Sequence, residues 1–301
     1  MIAVRRDLDS LGPAGRASTG SGPTAARMVL GTQLRRLREA KQISRQAAGY
    51  AIRASASKIS RLELGRVAFK QRDITDLLTL YGVTDPRERE AYLTLAQEAN
   101  SPGWWHKFSD VLSGWFEMYV GLEQVAAVIR SYEVQFVPGL FQTEQYARAV
   151  TLLGHPGASA TEVDHRVDLR IARQKLLTTA DPPNVWAVVD EAALHRVAGG
   201  QQIMRAQLER LIELIELPNV TVQIMPFQAG GHAAAGGSFT ILRFAEPDIP
   251  DIVYLEQLTS ALYLDKASDV DEYFIVMDRL CVEAHSPEVS TKLLQSIVKD
   301  L

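Results

Sequence analysis

The segment from Ile43 to Arg66 constrains the fold most, because it has the pattern of two short helices separated by a tight turn. Ser44 and Ser55 stand where N-caps belong, and a cap side chain accepts hydrogen bonds from the free N–H groups of the first helical turn. Each residue rotates a helix by about 100°, so Ile59 and Leu62 share one face of the second helix and leave the opposite face polar. The pattern predicts a helix that packs on a small core by one face and is open to a partner on the other.

Charge is distributed unevenly along the chain. Residues 28–72 contain eleven Lys or Arg and two Glu, whereas residues 101–301 contain fifteen Lys or Arg and twenty-six Asp or Glu. The formal net charge of −4 therefore hides a basic N-terminal part and an acidic C-terminal part. A concentrated basic field attracts phosphate and supplies the salt-dependent, sequence-independent part of DNA affinity. Together with the helix pair, it predicts a protein that presents the second helix to the major groove.

The N-terminal part is predicted to be an all-α domain of five helices over residues 28–99. Apolar residues recur at helical spacing on both sides of the helix pair, as in Leu30, Leu34, Leu37, Ile74, Leu77 and Leu78. The breaker cluster Asn100–Gly103 predicts a domain boundary. Residues 1–27 are rich in Gly, Ser and Ala and poor in apolar residues, which predicts a disordered tail with no signal-peptide core.

Residues 104–301 change in character and predict an α+β domain. Runs rich in β-branched residues predict strands, while longer segments between them have helical length. The predicted strands are 185–189, 220–224, 239–244 and 252–255, and the predicted helices are 142–153, 159–178, 201–217, 267–285 and 287–301. Residues 220–244 are predicted to form two antiparallel strands joined by the glycine-rich loop Gly230–Gly237.

Two sets of motifs resemble known families. The helix pair, closed by Leu62-Glu63-Leu64-Gly65-Arg66, resembles the Xre-type (phage-repressor-like) helix-turn-helix with its L-E-x-G-R/K ending. The segments 119–123 (Y-V-G-L-E), 137–149 (V-P-G-L-F-Q-T-E-Q-Y-A-R-A) and 190–196 (D-E-A-A-L-H-R) resemble the C-terminal domain of unknown function in a large family of actinobacterial, antitoxin-like transcriptional regulators. Members are often encoded beside a small partner protein. The resemblance implies that the acidic domain binds such a partner.

The resemblance to the Xre-type motif also assigns roles to individual residues. It implies base contacts from Ala56, Ser57 and Arg61, with Lys58 and Ser60 flanking them, and Arg61 has the geometry for a bidentate contact with guanine. It implies phosphate contacts from Arg45, Arg53 and Arg66, which position the protein without reading sequence. Arg38 and Glu63 resemble the family's internal ion pair. Arg53 stands where many relatives have glycine, and a left-handed backbone there would strain an arginine.

No constellation in the chain predicts catalysis, a metal site or a cofactor. Glu191 and His195 share a helix face but lack a third metal ligand and a nucleophile, so they are interpreted as a surface pair or helix cap. The loop Gly230–Gly237 lacks the Gly-Lys-Ser/Thr ending of a phosphate-binding loop and is interpreted as a flexible connector, with closure over a ligand or partner as the alternative. The single cysteine, Cys281, is interpreted as a small buried hydrophobe and makes no internal disulfide.

These observations predict a cytoplasmic, sequence-specific DNA-binding transcriptional regulator. We expect a homodimer on a palindromic operator in double-stranded DNA, because one helix reads only a few base pairs. No membrane span is predicted, since no apolar run approaches about 18 residues. One alternative is an antitoxin-like protein that sequesters a small partner and binds DNA for autoregulation. Another is an enzyme with a DNA-binding domain, which a bound metal or nucleotide in the C-terminal domain would favour.

Overall fold

The computed structural model describes residues 22–301, and these belong to two compact units. The N-terminal unit ends at Gly103, and the C-terminal unit comprises Trp104–Leu301. Within the described residues, no helix is both long enough and apolar enough to span a bilayer.

Five α-helices surround one apolar core in the described part of the N-terminal unit. Leu30, Ile59, Ile74 and Leu78 are fully buried at its centre. Apolar residues three or four positions apart lie on one side of a helix, so each helix turns one face inward. The helices are α1 (Pro23–Ala40), α2 (Arg45–Ala51), α3 (Ala56–Glu63), α4 (Gln71–Leu80) and α5 (Pro86–Asn100).

Helix α1 begins earlier than the sequence analysis predicts. The disordered tail was predicted to extend to residue 27, but α1 starts at Pro23, and Ala26 is buried in the same cluster as Ala99 of α5. The Arg27 guanidinium donates a hydrogen bond to the Ala99 carbonyl over 3.0 Å. Proline favours the first helical turn because its ring presets φ, and small side chains allow two helices to approach closely. The tail boundary is therefore corrected to residue 22 at the latest, and residues 1–21 lie outside the described residues.

The C-terminal unit combines a six-stranded mixed sheet with helices. The predicted set lacks two of its strands, Val128–Glu133 and Ala261–Leu264, and the helix Gly114–Val125. The strands are β1 (Val128–Glu133), β2 (Asn184–Asp190), β3 (Val220–Met225), β4 (Phe239–Arg243), β5 (Ile252–Glu256) and β6 (Ala261–Leu264). The helices are α6 (Gly114–Val125), α7 (Glu144–Gly154), α8 (Ala160–Gln174), α9 (Glu191–His195), α10 (Gln201–Ile215), α11 (Ala267–Glu283) and α12 (Pro287–Asp300), and the unit opens with a 3₁₀ helix, Trp104–Phe108.

The strand order β3-β2-β1-β4-β5-β6 divides the sheet into two halves. Strands β1, β2 and β3 run parallel and are joined by helical crossovers, whereas β4, β5 and β6 pair in antiparallel fashion. Strand β1 lies where the two halves meet. It pairs in parallel with β2 on one side and antiparallel with β4 on the other.

The prediction of a hairpin over residues 220–244 is wrong. Strand β3 lies at one edge of the sheet and pairs with β2, while β4 pairs with β1, so two strands separate them. Hairpin loops are typically two to five residues long. The connection formed by residues 226–238 is longer, because it must pass over the ends of β2 and β1. The glycine-rich loop is therefore a crossover connection.

Candidate nucleic-acid interface

Local hydrogen bonds set the start of both helices in the motif. The Ser44 hydroxyl accepts a hydrogen bond from the Ala47 N–H over 3.1 Å, and the Ser55 hydroxyl accepts one from the Lys58 N–H over 3.2 Å. Each bond satisfies a backbone donor that has no partner within its own helix. The two caps hold α2 and α3 as separate helices across the turn.

The turn between α2 and α3 depends on two unusual backbone positions. Arg53 has φ of 54°, in the left-handed region that costs a residue with a side chain about 1–2 kcal/mol. A Cβ atom built on Gly49 would lie 2.7 Å from the Ala54 carbonyl oxygen, so only glycine permits this close approach. The sequence analysis identified the strain at Arg53 but did not single out Gly49.

The face of α3 opposite the core is open. Ile59 and Leu62 are buried, whereas Ala56, Ser57 and Arg61 are exposed. Within residues 22–301, no carboxylate lies within 4 Å of the Arg61 guanidinium, so its charge and its donors are available to a ligand. Three of the five residues predicted to read bases thus share one accessible surface.

Lys58, another predicted base-reading residue, is engaged inside the unit. Its ammonium forms an ion pair with the carboxylate of Asp73, a buried residue in the first turn of α4. A buried carboxylate without a cation is costly, so this pair ties α3 to α4. Ser60, the fifth predicted base-reading residue, is half-buried beside Arg61. Base contacts by Lys58 and Ser60 stay predictions.

One carboxylate holds two arginines behind the open face. Glu63 forms an ion pair with Arg38, and their side chains are only 3% and 8% exposed. Glu63 also accepts a hydrogen bond from Arg45 Nε over 3.0 Å, and Arg38 donates to the Ile43 carbonyl over 2.9 Å. The hydrogen bond with Glu63 raises the pKa of Arg38. The group braces α1 and the start of α2 against the end of α3.

The residues predicted to contact phosphate differ in their surroundings. Arg45 is partly exposed and shares Glu63 with Arg38, so it has both a structural contact and an accessible edge. Arg53 in the turn and Arg66 after α3 are exposed. Among the described residues, no carboxylate lies within 4 Å of the Arg53 guanidinium. These three arginines add positive charge around α3.

In the C-terminal unit, Asp190 caps α9, and its side chain accepts a hydrogen bond from the Ala192 N–H over 2.9 Å. Glu191 and His195 lie one turn apart, with 3.4 Å between Oε1 and Nε2, and Phe227 stacks on the His195 ring. Within residues 22–301, no group of three or more His, Cys, Asp or Glu has an arrangement that could hold a metal ion. Glu191 is largely buried and also accepts a hydrogen bond from the Phe227 N–H over 2.8 Å, so the interpretation as a surface pair or helix cap stays a prediction.

The glycine-rich loop is attached to the sheet by a residue that the sequence analysis did not identify. His232 Nε2 lies 2.9 Å from the Tyr132 hydroxyl, which also donates to Asp190 over 3.2 Å. Tyr132 and Asp190 come from neighbouring strands, β1 and β2. No sequence pattern links Tyr132 and Asp190 to His232. The three side chains meet because β1 and β2 are neighbours in the sheet and the loop passes over their ends.

Cys281 is half-buried and has an arginine neighbour. Burial raises the pKa of its thiol, which opposes formation of the thiolate. The Arg130 Nη2 atom lies 3.5 Å from the sulfur and also pairs with Asp278 over 2.8 Å. This environment disfavours a nucleophilic role.

Glu133 is a titratable group at the end of β1 that the sequence analysis did not single out. Burial raises the pKa of this half-buried carboxyl to about 7. A hydrogen bond with Ser238 opposes this rise in pKa, and the negative charge of Glu256 adds to it. The unfolded chain ionises Glu133 at lower pH than the folded chain does, so raising the pH favours unfolding until the folded carboxyl ionises as well.

We expect the free energy of unfolding of the C-terminal unit to fall by about 2 kcal/mol as pH rises from about 4.5 to about 7, after allowance for partial exposure. Urea titrations at stepped pH measure this decline. Glu133→Gln should remove it, because the amide does not titrate. An identical decline in the variant would assign the effect to another group.

Comparisons with known families match both parts of the chain. A model described as a helix-turn-helix domain matches residues 29–92, and a model described as a domain of unknown function (DUF5753) matches residues 116–296. The second model covers more than half of the chain. Searches of curated proteins and of solved structures found no match.

Proposed function

The chain belongs to the family defined by the domain of unknown function DUF5753, here preceded by a helix-turn-helix domain, and on that premise we propose that it is a sequence-specific DNA-binding regulator of transcription. The exposed face of α3 carries the proposal, because Ser57 and Arg61 point to solvent while Ile59 and Leu62 fasten the helix to the core. An α-helix fits the major groove, where each base pair presents a distinct donor and acceptor pattern. The proposed role is regulatory rather than enzymatic, in the cytoplasm.

The proposed contacts divide into reading and positioning. Arg61, which has no carboxylate within 4 Å among the described residues, reads guanine O6 and N7. Arg53 and Arg66 neutralise phosphates on either side of α3, and Arg45 adds its exposed edge. The Arg38–Glu63 and Lys58–Asp73 pairs hold α3 in place, so they act on DNA binding through its orientation.

We propose that the protein binds a palindromic operator as a dimer of Xre type. A single α3 contacts only a few base pairs, and a two-fold pair places two such helices one turn of DNA apart. The acidic C-terminal unit is repelled by the phosphate backbone, which leaves it to bind a small protein partner or an effector.

An antitoxin-like role for the C-terminal unit is the second candidate, favoured by the excess of acidic residues after residue 101. In that role a small basic partner would be sequestered, and DNA binding would serve autoregulation. Co-purification of a stoichiometric complex from the native cell would favour it. A regulator whose C-terminal unit binds a small effector instead should be recovered alone and respond to that molecule.

We expect Arg61→Ala to weaken binding to the operator by about 5- to 150-fold while changing binding to a scrambled duplex little, because a base contact carries the discrimination. The operator is first selected from a random duplex pool with the full chain. Fluorescence anisotropy of both labelled duplexes then measures the two affinities.

Arg53→Ala is the matched control, because it removes an exposed arginine with a proposed phosphate contact. It should weaken binding to both duplexes and lower the slope of log affinity against log salt by about one unit. Equal losses on operator and scrambled DNA for Arg61→Ala would contradict its base-reading role.

A further inference from the structure

A groove in the C-terminal unit lies between the 3₁₀ helix Trp104–Phe108 and α8. Its volume is about 400 Å³, within the range of small-molecule sites. Lys107 and Phe108 line one side, and Ile171, Ala172 and Lys175 line the other. The groove therefore combines an apolar floor with a cationic rim.

The floor is held by packing on both sides. Phe108 is buried in a cluster with Trp105, Val120 and Leu169, and Ala172 packs against the same cluster. Ile171 packs against a second cluster formed by α7 and α8. Side chains fixed in this way offer a ligand a pre-formed apolar surface, which reduces the entropy lost on binding.

The rim carries unpaired positive charge. Lys107 and Lys175 are both exposed, and within residues 22–301 neither ammonium has a carboxylate within 4 Å. The Lys107 ammonium lies 4.8 Å from the centroid of the Phe108 ring. On α8, by contrast, the Arg166 guanidinium is paired with Glu162 over 2.9 Å.

The charge around the groove contrasts with the rest of the unit. The chain from residue 101 onward carries an excess of eleven acidic residues. The groove instead is lined by two lysines and one acid, Asp168, and the ring of His165 lies 2.6 Å from an oxygen of Asp110. The Lys107 and Lys175 ammonium groups at the rim can both bind one anionic group of a ligand.

We propose that this groove binds a small organic monoanion with an apolar ring or chain, such as an aryl or alkyl carboxylate. The carboxylate lies between the Lys107 and Lys175 ammonium groups, where charge-assisted hydrogen bonds hold it. The ring or chain lies on Phe108, Ile171 and Ala172.

The groove is also placed to affect the start of the C-terminal unit. Lys107 and Phe108 belong to its first element, which begins directly after Gly103, the last residue of the N-terminal unit. A ligand in the groove would contact both this element and α8, next to the connection to the DNA-binding unit. This effector role rests on the proposed function, whereas binding in the groove does not.

The test uses the full chain and the fluorescent monoanion 8-anilinonaphthalene-1-sulfonate, whose emission rises on apolar protein surfaces. We expect one site, weakened about tenfold or more by Lys107→Ala or Lys175→Ala, since hydrogen bonds to charged groups contribute at least that much. Lys299→Ala, an exposed lysine in the last turn of α12, is the matched control and should leave binding unchanged. The neutral N-phenyl-1-naphthylamine should bind equally to all four proteins.

Several results would overturn the proposal. These are equal affinity of the anionic probe for wild type and both groove variants, an equal loss in Lys299→Ala, or failure of both salicylate and octanoate to displace the probe. Because both groove lysines are exposed, the variants should keep the wild-type melting temperature, which excludes unfolding as the cause of lost binding.

Operator binding by the full chain with and without saturating octanoate or salicylate tests the effector role separately. A change in operator affinity that Lys175→Ala abolishes supports it. Lysine-dependent probe binding with constant operator affinity overturns the effector role and keeps the site. Absence of operator binding in any condition overturns the proposed function, while the probe titration still decides the groove.

Discussion

Replacing Glu63 with glutamine is expected to lower the free energy of unfolding of the N-terminal unit by about 3–5 kcal/mol. The Glu63 side chain is 3% exposed, and Arg38 beside it is 8% exposed. Without the carboxylate, the buried Arg38 guanidinium keeps only the half-exposed Glu39, 3.3 Å away, as an opposite charge, and Arg45 loses its charged partner. DNA binding should then fail because α3 is no longer held in position.

Native-state hydrogen exchange of the full chain measures this loss, because amides of α1 and α3 exchange through opening of the N-terminal unit. Arg45→Ala is the matched control: Arg45 is partly exposed and its removal leaves the Arg38–Glu63 pair intact, so we expect a loss below about 1 kcal/mol. Unchanged protection together with lost DNA binding in Glu63→Gln would make Glu63 a direct participant in binding.

Replacing Glu123 with glutamine should destabilise the C-terminal unit by a similar amount, about 3–5 kcal/mol. Arg173 donates to both carboxylate oxygens of Glu123 over 2.7 Å, and the two side chains are 8% and 3% exposed. Burial disfavours the charged guanidinium, but the Glu123 carboxylate more than offsets this, so the pKa of Arg173 is raised. The centroids of the Phe116 and Tyr119 rings lie 5.1 and 5.4 Å from the guanidinium carbon.

Tryptophan fluorescence in urea reports on this unit alone, because all four tryptophans lie beyond Gly103. The double variant Glu123→Leu with Arg173→Met is the control: removing both charges should restore much of the stability, since no uncompensated charge stays buried. A Glu123→Gln variant as stable as wild type would show that solvent reaches Arg173.

The helix-turn-helix could be predicted because its determinants are local. Ser44 and Ser55 cap their helices through backbone donors three residues away, and Ile59 and Leu62 lie on one side of α3 because of the helical repeat. The ion-pair partners of its charged residues could not be predicted from the sequence in the same way. Lys58 pairs with Asp73 fifteen positions later, and nothing in the spacing indicates that contact.

Strand β1 was not predicted from the sequence because its residues do not form an apolar run. Arg130 and Glu133 interrupt the pattern, although Ile129 and Tyr132 are buried at the middle of the sheet. Arg130 is tolerated there because Asp278 pairs with it and the Trp186 ring covers it. Both partners come from elements far along the chain, so no local window contains the reason.

By itself the sequence determined most of the segments that form helices, though not α6, together with the open face of α3 with Arg61 and the separation of basic and acidic parts. These features depend on neighbours within a few residues. Only the tertiary structure decided the strand order, the Arg173–Glu123 pair and the groove between Phe108 and Lys175. Those contacts join residues about fifty or more positions apart. Such contacts form only when the whole unit packs. A buried charge then needs an opposite charge close to it, and that partner comes from a distant part of the chain.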